Sequence, residues 1–217
     1  MRIIDLSHTI EHGMTTYPGL PGPLICDFLS RRQSRERYAP GYEFQIGSIE
    51  LVGNTGTYLD TPFHRFADGE DLAAVGVHRV AELDGVAVHV PGATAVDVDA
   101  FSGFEVAGKA VLVHTGWDVH WRTETYLTGH PYLTEAAATD LVERGAALVG
   151  IDSLNIDNTV DGRRPIHTIL LGAGIPIVEH LTGLGALPAN GFRFTAAPPK
   201  VMGMGTFPVR AYAVLSD

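Results

Sequence analysis

Apolar positions fall in short runs punctuated by glycine and proline, with two stretches of helical spacing. Arg2 to Leu6 reads as a strand, and Phe44 to Leu51 alternates apolar with small or polar residues, as a half-buried strand would. Val86 to Val90 and Ala110 to His114 are short, rich in aliphatic residues and bounded by Gly or Pro, which predicts core strands. Thr134 to Arg144 predicts a helix with a Thr cap and a stop at Gly145. A strand over Ala147 to Ile151, a helix over Ile166 to Ala173 and a strand over Pro176 to Glu179 follow; Phe192 to Phe194 and Val209 to Leu215 supply the last strands. Long loops span Asp118 to Pro131 and Ile156 to Pro165, and Gly13 to Gly22 is a Pro/Gly-rich connection. The order is mixed α/β, and no repeat or linker divides residues 1–217, so one domain is expected.

Charge narrows the partners. The net charge is -10, and the nearest thing to a basic run, Arg31 to Arg37, is short and interrupted, so it reads as a solvated face. A nucleic-acid partner is not expected. No apolar run approaches the roughly 20 residues of a membrane span and no export signal is evident, so a cytoplasmic protein with no membrane partner is expected. The one cysteine, Cys26, cannot form an intrachain disulfide and lies in an apolar stretch that looks like core. Met202-Gly203-Met204-Gly205 lacks the ending of a phosphate loop, and neither a dinucleotide fingerprint nor a serine nucleophile elbow is present. A nucleotide cofactor is not implied.

Two segments concentrate chemistry. Gly53 to His64 combines small residues with Tyr58, Asp60 and His64 at even offsets; an extended backbone would put phenol, carboxylate and imidazole on one face. His167 opens a predicted helix and Glu179 ends an apolar strand, where a buried carboxylate needs a partner or a metal. Read from these residues alone, a turn-capping Asp60, a surface His64 and an ion-paired Glu179 fit equally well. Tyr17 and Phe63 are candidate apolar walls of a substrate pocket, or ordinary core. Trp117, with His120 and Trp121, could roof the pocket or pack against another subunit. His8, Asp152 and Asp157 are candidate supporting hydrogen-bond partners, or turn and cap residues.

The segment from Asn54 to His64 resembles the signature His-x-Gly-Thr-His-x-Asp-x-Pro-x-His of the putative-cyclase family, which includes bacterial arylformamidase and isatin hydrolase. Gly56, Thr57, Asp60, Pro62 and His64 match it. Asp5-Leu6-Ser7-His8, Thr115-Gly116-Trp117, His130-Pro131-Tyr132-Leu133, the His167 to Glu179 spacing and Pro208-Val209-Arg210-Ala211 resemble further family segments.

The resemblance implies a swivelling β/β/α fold, a homo-oligomer (dimer or tetramer) and hydrolysis of a small amide, lactone or cyclic imide. It implies metal ligands at Asp60, His167 and Glu179 and acid/base catalysis by His64. Asn54 and Tyr58 stand where the family has metal-binding histidines, so one divalent ion (Mn, Zn or Mg) is expected rather than two. Tyr58 then becomes an accessory phenolate ligand or a catalytic hydrogen-bonding group, and Asn54 a substrate contact. Two other readings follow from the same substitutions: a metal-independent cyclase or isomerase using Tyr58 and His64, and a non-catalytic small-molecule-binding relative.

Overall fold

The computed structural model describes residues 1–215. Its strands are β1 (Arg2–Asp5), β2 (Leu24–Leu29), β3 (Ile46–Glu50), β4 (Tyr58–Asp60), β5 (Leu83–His89), β6 (Ala95–Val96), β7 (Ala110–His114), β8 (Tyr132–Leu133), β9 (Leu148–Ile151), β10 (Ile177–Glu179), β11 (Phe192–Thr195), β12 (Thr206–Pro208) and β13 (Tyr212–Leu215). The α-helices are α1 (Arg31–Ser34), α2 (Glu135–Glu143) and α3 (Pro165–Gly172). Nine strands form one mixed sheet in the order β1-β13-β11-β5-β7-β9-β10-β4-β12. Its centre, β5-β7-β9-β10, is parallel, and antiparallel strands flank it on both sides. This is the mixed α/β class expected.

The two-residue period of the central strands builds both faces of the core. Val86, Val88, Val111, Val113, Val149, Ile151 and Ile177 turn to one side, where α2 and α3 contribute Ala137, Ala138, Leu141, Ile166, Leu170 and Leu171. The alternate positions Ala87, Leu112, Leu148 and Val178 pack on the other side with Leu6, Leu59, Phe194 and Ala213. Strands buried on both faces read as continuous apolar runs, which is why β7 and β9 were legible from sequence.

The ribbon formed by β2 and β3 departs from expectation. Phe44 to Leu51 was expected to be half-buried, but all five residues of β3 are exposed, and β2, which had not been anticipated, is exposed everywhere except Leu29. Cys26 sits on this ribbon and is exposed, not core. The pair is hydrogen-bonded to itself and separate from the nine-stranded sheet, so neither face gains a covering layer. Phe28, Phe44, Ile46 and Ile49 are therefore left facing outward. Among the described residues, no helix is long and apolar enough to cross a membrane.

Candidate active site

Strand register assembles the site. β4 lies between β10 and β12, so Tyr58 stands opposite Glu179 and Asp60 opposite Thr206. The extended run expected to carry Tyr58, Asp60 and His64 on one face stops at Asp60. Pro62 sets the first turn of a 3-10 helix over Pro62–His64, and that turn carries His64 back toward Asp60. Gly205 makes the approach feasible: a Cβ there would lie 2.3 Å from the His64 backbone nitrogen, and its carbonyl accepts the Thr61 N–H at 2.7 Å. Gly205, within the Met202 to Gly205 segment, is thus a close-packing position.

His167 is placed by Asp157. The Asp157 carboxylate accepts the backbone N–H groups of Ile166 (2.7 Å) and His167 (3.1 Å), capping α3, and its Oδ2 lies 2.6 Å from His167 Nδ1. With Nδ1 committed to Asp157, Nε2 faces the remaining acids, 3.7 Å from both Asp60 Oδ2 and Glu179 Oε1. Glu179 accepts the Ile156 N–H (2.7 Å) and the Tyr58 hydroxyl (2.6 Å), while Asn155 Nδ2 lies 3.4 Å away. Burial disfavours the His167 cation, but Glu179, Asp157 and Asp60 outweigh it and hold the imidazolium up to about 10. Burial likewise raises Glu179 to about 7, against the opposing pull of His167.

His64 belongs to a different hydrogen-bond chain. The Thr206 hydroxyl contacts both Asp60 Oδ1 and His64 Nδ1, the latter at 2.7 Å. A carboxylate only accepts and a hydroxyl carries a single proton, so Thr206 donates to Asp60 and accepts from His64 Nδ1–H. That fixes the neutral tautomer and leaves Nε2 as the basic nitrogen. Thr206 was not singled out in the sequence, since one threonine in an unrecognised edge strand carries no signal. Replacing it with Val should keep the fold and lower kcat by roughly tenfold to a hundredfold, the usual cost of a missing supporting hydrogen bond. Steady-state kinetics would show it, and an unchanged kcat would remove Thr206 from the account.

These groups surround a cavity of about 270 Å³ that is lined by Tyr17, Asn54, Tyr58, His64, His167 and Glu179 among others. Phe63 and Trp117 do not line it. Trp117 donates its indole N–H to the Tyr126 carbonyl, and Trp121 stacks on His8 at 4.1 Å. Asp152 binds the Thr115 and Gly116 amides, joining the ends of β7 and β9 away from the cavity. Tyr58 is buried between acids: desolvation, then the charges of Glu179 and Asp60, push its hydroxyl well above the ordinary tyrosine range. In the metal-free chain Tyr58 is thus a neutral phenol that donates to Glu179.

His180 packs against the Tyr58 ring, with 5.1 Å between ring centroids, and its Nδ1 meets Tyr126 Oη at 2.8 Å. His180 adopts a left-handed φ of 55°. Burial, with the charges of His8 and His130, pushes His180 down to about 3; burial, opposed by Asp118, pushes His8 down to about 4. Both are neutral in the fold and must be protonated in acid, so their contribution is present above pH 6.5 and lost as pH falls toward 4 and 3. His167 has the opposite sign: its contribution is complete below 6.5 and lost as pH rises through about 10, and Glu179 adds a loss between 4.5 and about 7. Thermal melts in metal-free buffer should accordingly peak near pH 6.5, and a plateau extending to pH 9 would contradict the charge assignments.

A model of the putative cyclase family matches residues 4–158. The chain belongs to that family. It is 28% identical to a kynurenine formamidase of Salinibacter ruber, over 100% of this chain and 98% of the relative. It is 26% identical to one from Geobacillus thermodenitrificans, over 96% and 95%. Its fold matches isatin hydrolase A from Labrenzia aggregata with a TM-score of 0.84 at 21% identity, over 100% of this chain and 94% of that one. The expected class, a hydrolase acting on C–N bonds, agrees with these cyclase-family relatives.

Proposed function

We propose that this cyclase-family chain hydrolyses the C–N bond of a small amide or cyclic imide with the help of one divalent cation. The observation that carries the reading is Asp60 Oδ2, a buried oxygen without a hydrogen-bond partner. It lies beside His167 Nε2, and one donor atom each from Asp60, His64 and His167 fall within 4.8 Å of one another. A partnerless carboxylate oxygen in the interior is costly unless a cation satisfies it. The 3.7 Å separations of His167 Nε2 from Asp60 and Glu179 are close to the span of two donors each about 2.1 Å from a common ion. Asp60, His167 and Glu179 would hold the ion, and their mixed oxygen and nitrogen donors suit manganese or zinc.

Such an ion supplies Lewis-acid polarisation of the carbonyl and a more acidic water. The chain's own groups do the rest. His64 Nε2 takes a proton from water and returns it to the leaving nitrogen, while Thr206 and Asp60 hold the ring. Tyr58 keeps Glu179 Oε2 engaged, and Asn54 and Tyr17 shape the wall. Formanilide and isatin are suitable probes. Turnover should vanish on prolonged chelation and return with manganese or zinc. Full activity after the metal is shown to be gone would instead favour the metal-independent reading, in which the Tyr58 hydroxyl is the electrophilic donor and Tyr58→Phe is the damaging change.

A further inference from the structure

Two histidines stand apart from the candidate active site. β5 and β7 are neighbouring parallel strands whose apolar runs both end on an imidazole, His89 opposite His114 in register. They end at the carboxyl edge of the parallel strands, where ligands of α/β sheets gather. β7 lies two strands from β10, about 10 Å away by strand spacing. Neither ring lines the cavity described above.

The hydrogen bonds of the pair define its protons. His89 Nδ1 and His114 Nδ1 are 2.9 Å apart, with the ring planes at 81°. His89 Nε2 lies 3.1 Å from the Leu187 carbonyl, which only accepts, so this nitrogen carries the ring proton. Neutral His89 therefore presents a bare lone pair at Nδ1, and His114 Nδ1–H donates to it. The Leu187 carbonyl is held in place by its surroundings: a 3-10 turn over Leu184–Ala186 precedes it, and just beyond it the Ala87 N–H donates to the Ala189 carbonyl (3.0 Å). Gly185 leaves room for the other ring, since a Cβ there would lie 3.2 Å from His114 Nε2.

An imidazole with one N–H tied to a backbone carbonyl and its other nitrogen bare is the arrangement of a metal-ligating histidine. The spacing selects the geometry. With bonds of about 2.0–2.1 Å, two nitrogens on one ion lie about 2.9 Å apart at a right angle and about 3.3 Å apart at the tetrahedral angle. The observed 2.9 Å matches the right-angled edge, which square-planar and tetragonal ions provide. We infer that His89 and His114 form a second metal site, a two-nitrogen clamp for copper(II) or nickel(II) that joins the ends of β5 and β7. On binding, His114 transfers its one proton from Nδ1 to Nε2 through solvent, and both Nδ1 atoms turn to the ion. Water fills the remaining positions, and His89 keeps its bond to Leu187.

Copper(II) chloride titrated into tag-free full-length protein at neutral pH, followed by electron paramagnetic resonance, tests the site. Subtracting the titration of His89→Gln from that of the parent removes whatever copper the Asp60 site or other histidines take. The difference should be one ion per chain with hyperfine coupling to two nitrogens. Its affinity should fall on the order of a hundredfold in the variant, where a single imidazole has lost its chelating partner. His114→Gln should have the same effect, and Asp60→Asn should leave this ion in place. Both histidines lie at strand ends outside the core, and circular dichroism of each variant should match the parent. Copper binding unchanged in either histidine variant, a difference spectrum with one nitrogen, or loss of this ion in Asp60→Asn would overturn the assignment.

Discussion

Asp60→Asn should abolish measurable hydrolysis while leaving a folded protein. The carboxylate belongs to both halves of the site: Oδ2 is the partnerless oxygen facing His167, and Oδ1 ends the Thr206–His64 chain. An amide at this position offers only one oxygen, carries no charge and brings an N–H that cannot serve as an acceptor. If the nitrogen faces Thr206, the hydroxyl reverses and the His64 tautomer is no longer fixed. If it faces His167, the cation loses its anionic donor. Either outcome removes several kcal/mol of transition-state stabilisation, so kcat/KM should fall by about a thousandfold or more. Circular dichroism and a melt near the parent value would separate this loss from unfolding. Retention of more than a tenth of the activity would displace Asp60 from the centre of the mechanism.

His167→Gln should be the most destabilising single change in the site. In metal-free protein the His167 imidazolium is the positive partner of Glu179, Asp157 and Asp60. Removing it leaves buried acids facing one another, a change that costs on the order of 3–5 kcal/mol when one partner of a buried pair is deleted. For a chain of this size that corresponds to a Tm lowered by about 10 °C. Adding Asp157→Asn to His167→Gln should cost less than the sum of the two single changes, because the second removes a charge already stranded by the first. Differential scanning calorimetry on the four proteins closes the cycle. Strict additivity would mean that the 2.6 Å Asp157 to His167 contact contributes no coupling.

The sequence exposed some of this architecture and hid the rest for physical reasons. β7 and β9 and the two longer helices were readable because burial on both faces writes an apolar run, and a cap or a glycine marks the ends. The β2–β3 ribbon was misread because periodicity reports a potential for burial, and only the tertiary fold decides whether a covering layer exists. At the site, Tyr58, Asp60, His64, His167 and Glu179 were found as residue types in suggestive places. Their convergence depends on β4 pairing with β10 across more than a hundred residues, a long-range relation that local spacing does not encode. Thr206 and Asn155 went unnoticed because each acts through a contact with a distant segment. Asp157 was visible as a possible supporting residue, but its cap on α3 and its grip on His167 emerge only from the folded loop.

The geometry brings His167 close to both Asp60 and Glu179, with Tyr58 bonded to Glu179 and Asn54 lining the cavity. The Tyr58 hydroxyl donates to Glu179 as a neutral phenol in the metal-free chain. Elemental analysis of tag-free protein purified without chelator and dialysed against manganese or zinc tests the central claim most directly. The account predicts close to one ion per chain, lost in Asp60→Asn. Protein that retains no metal after either dialysis, yet hydrolyses its amide, would contradict it.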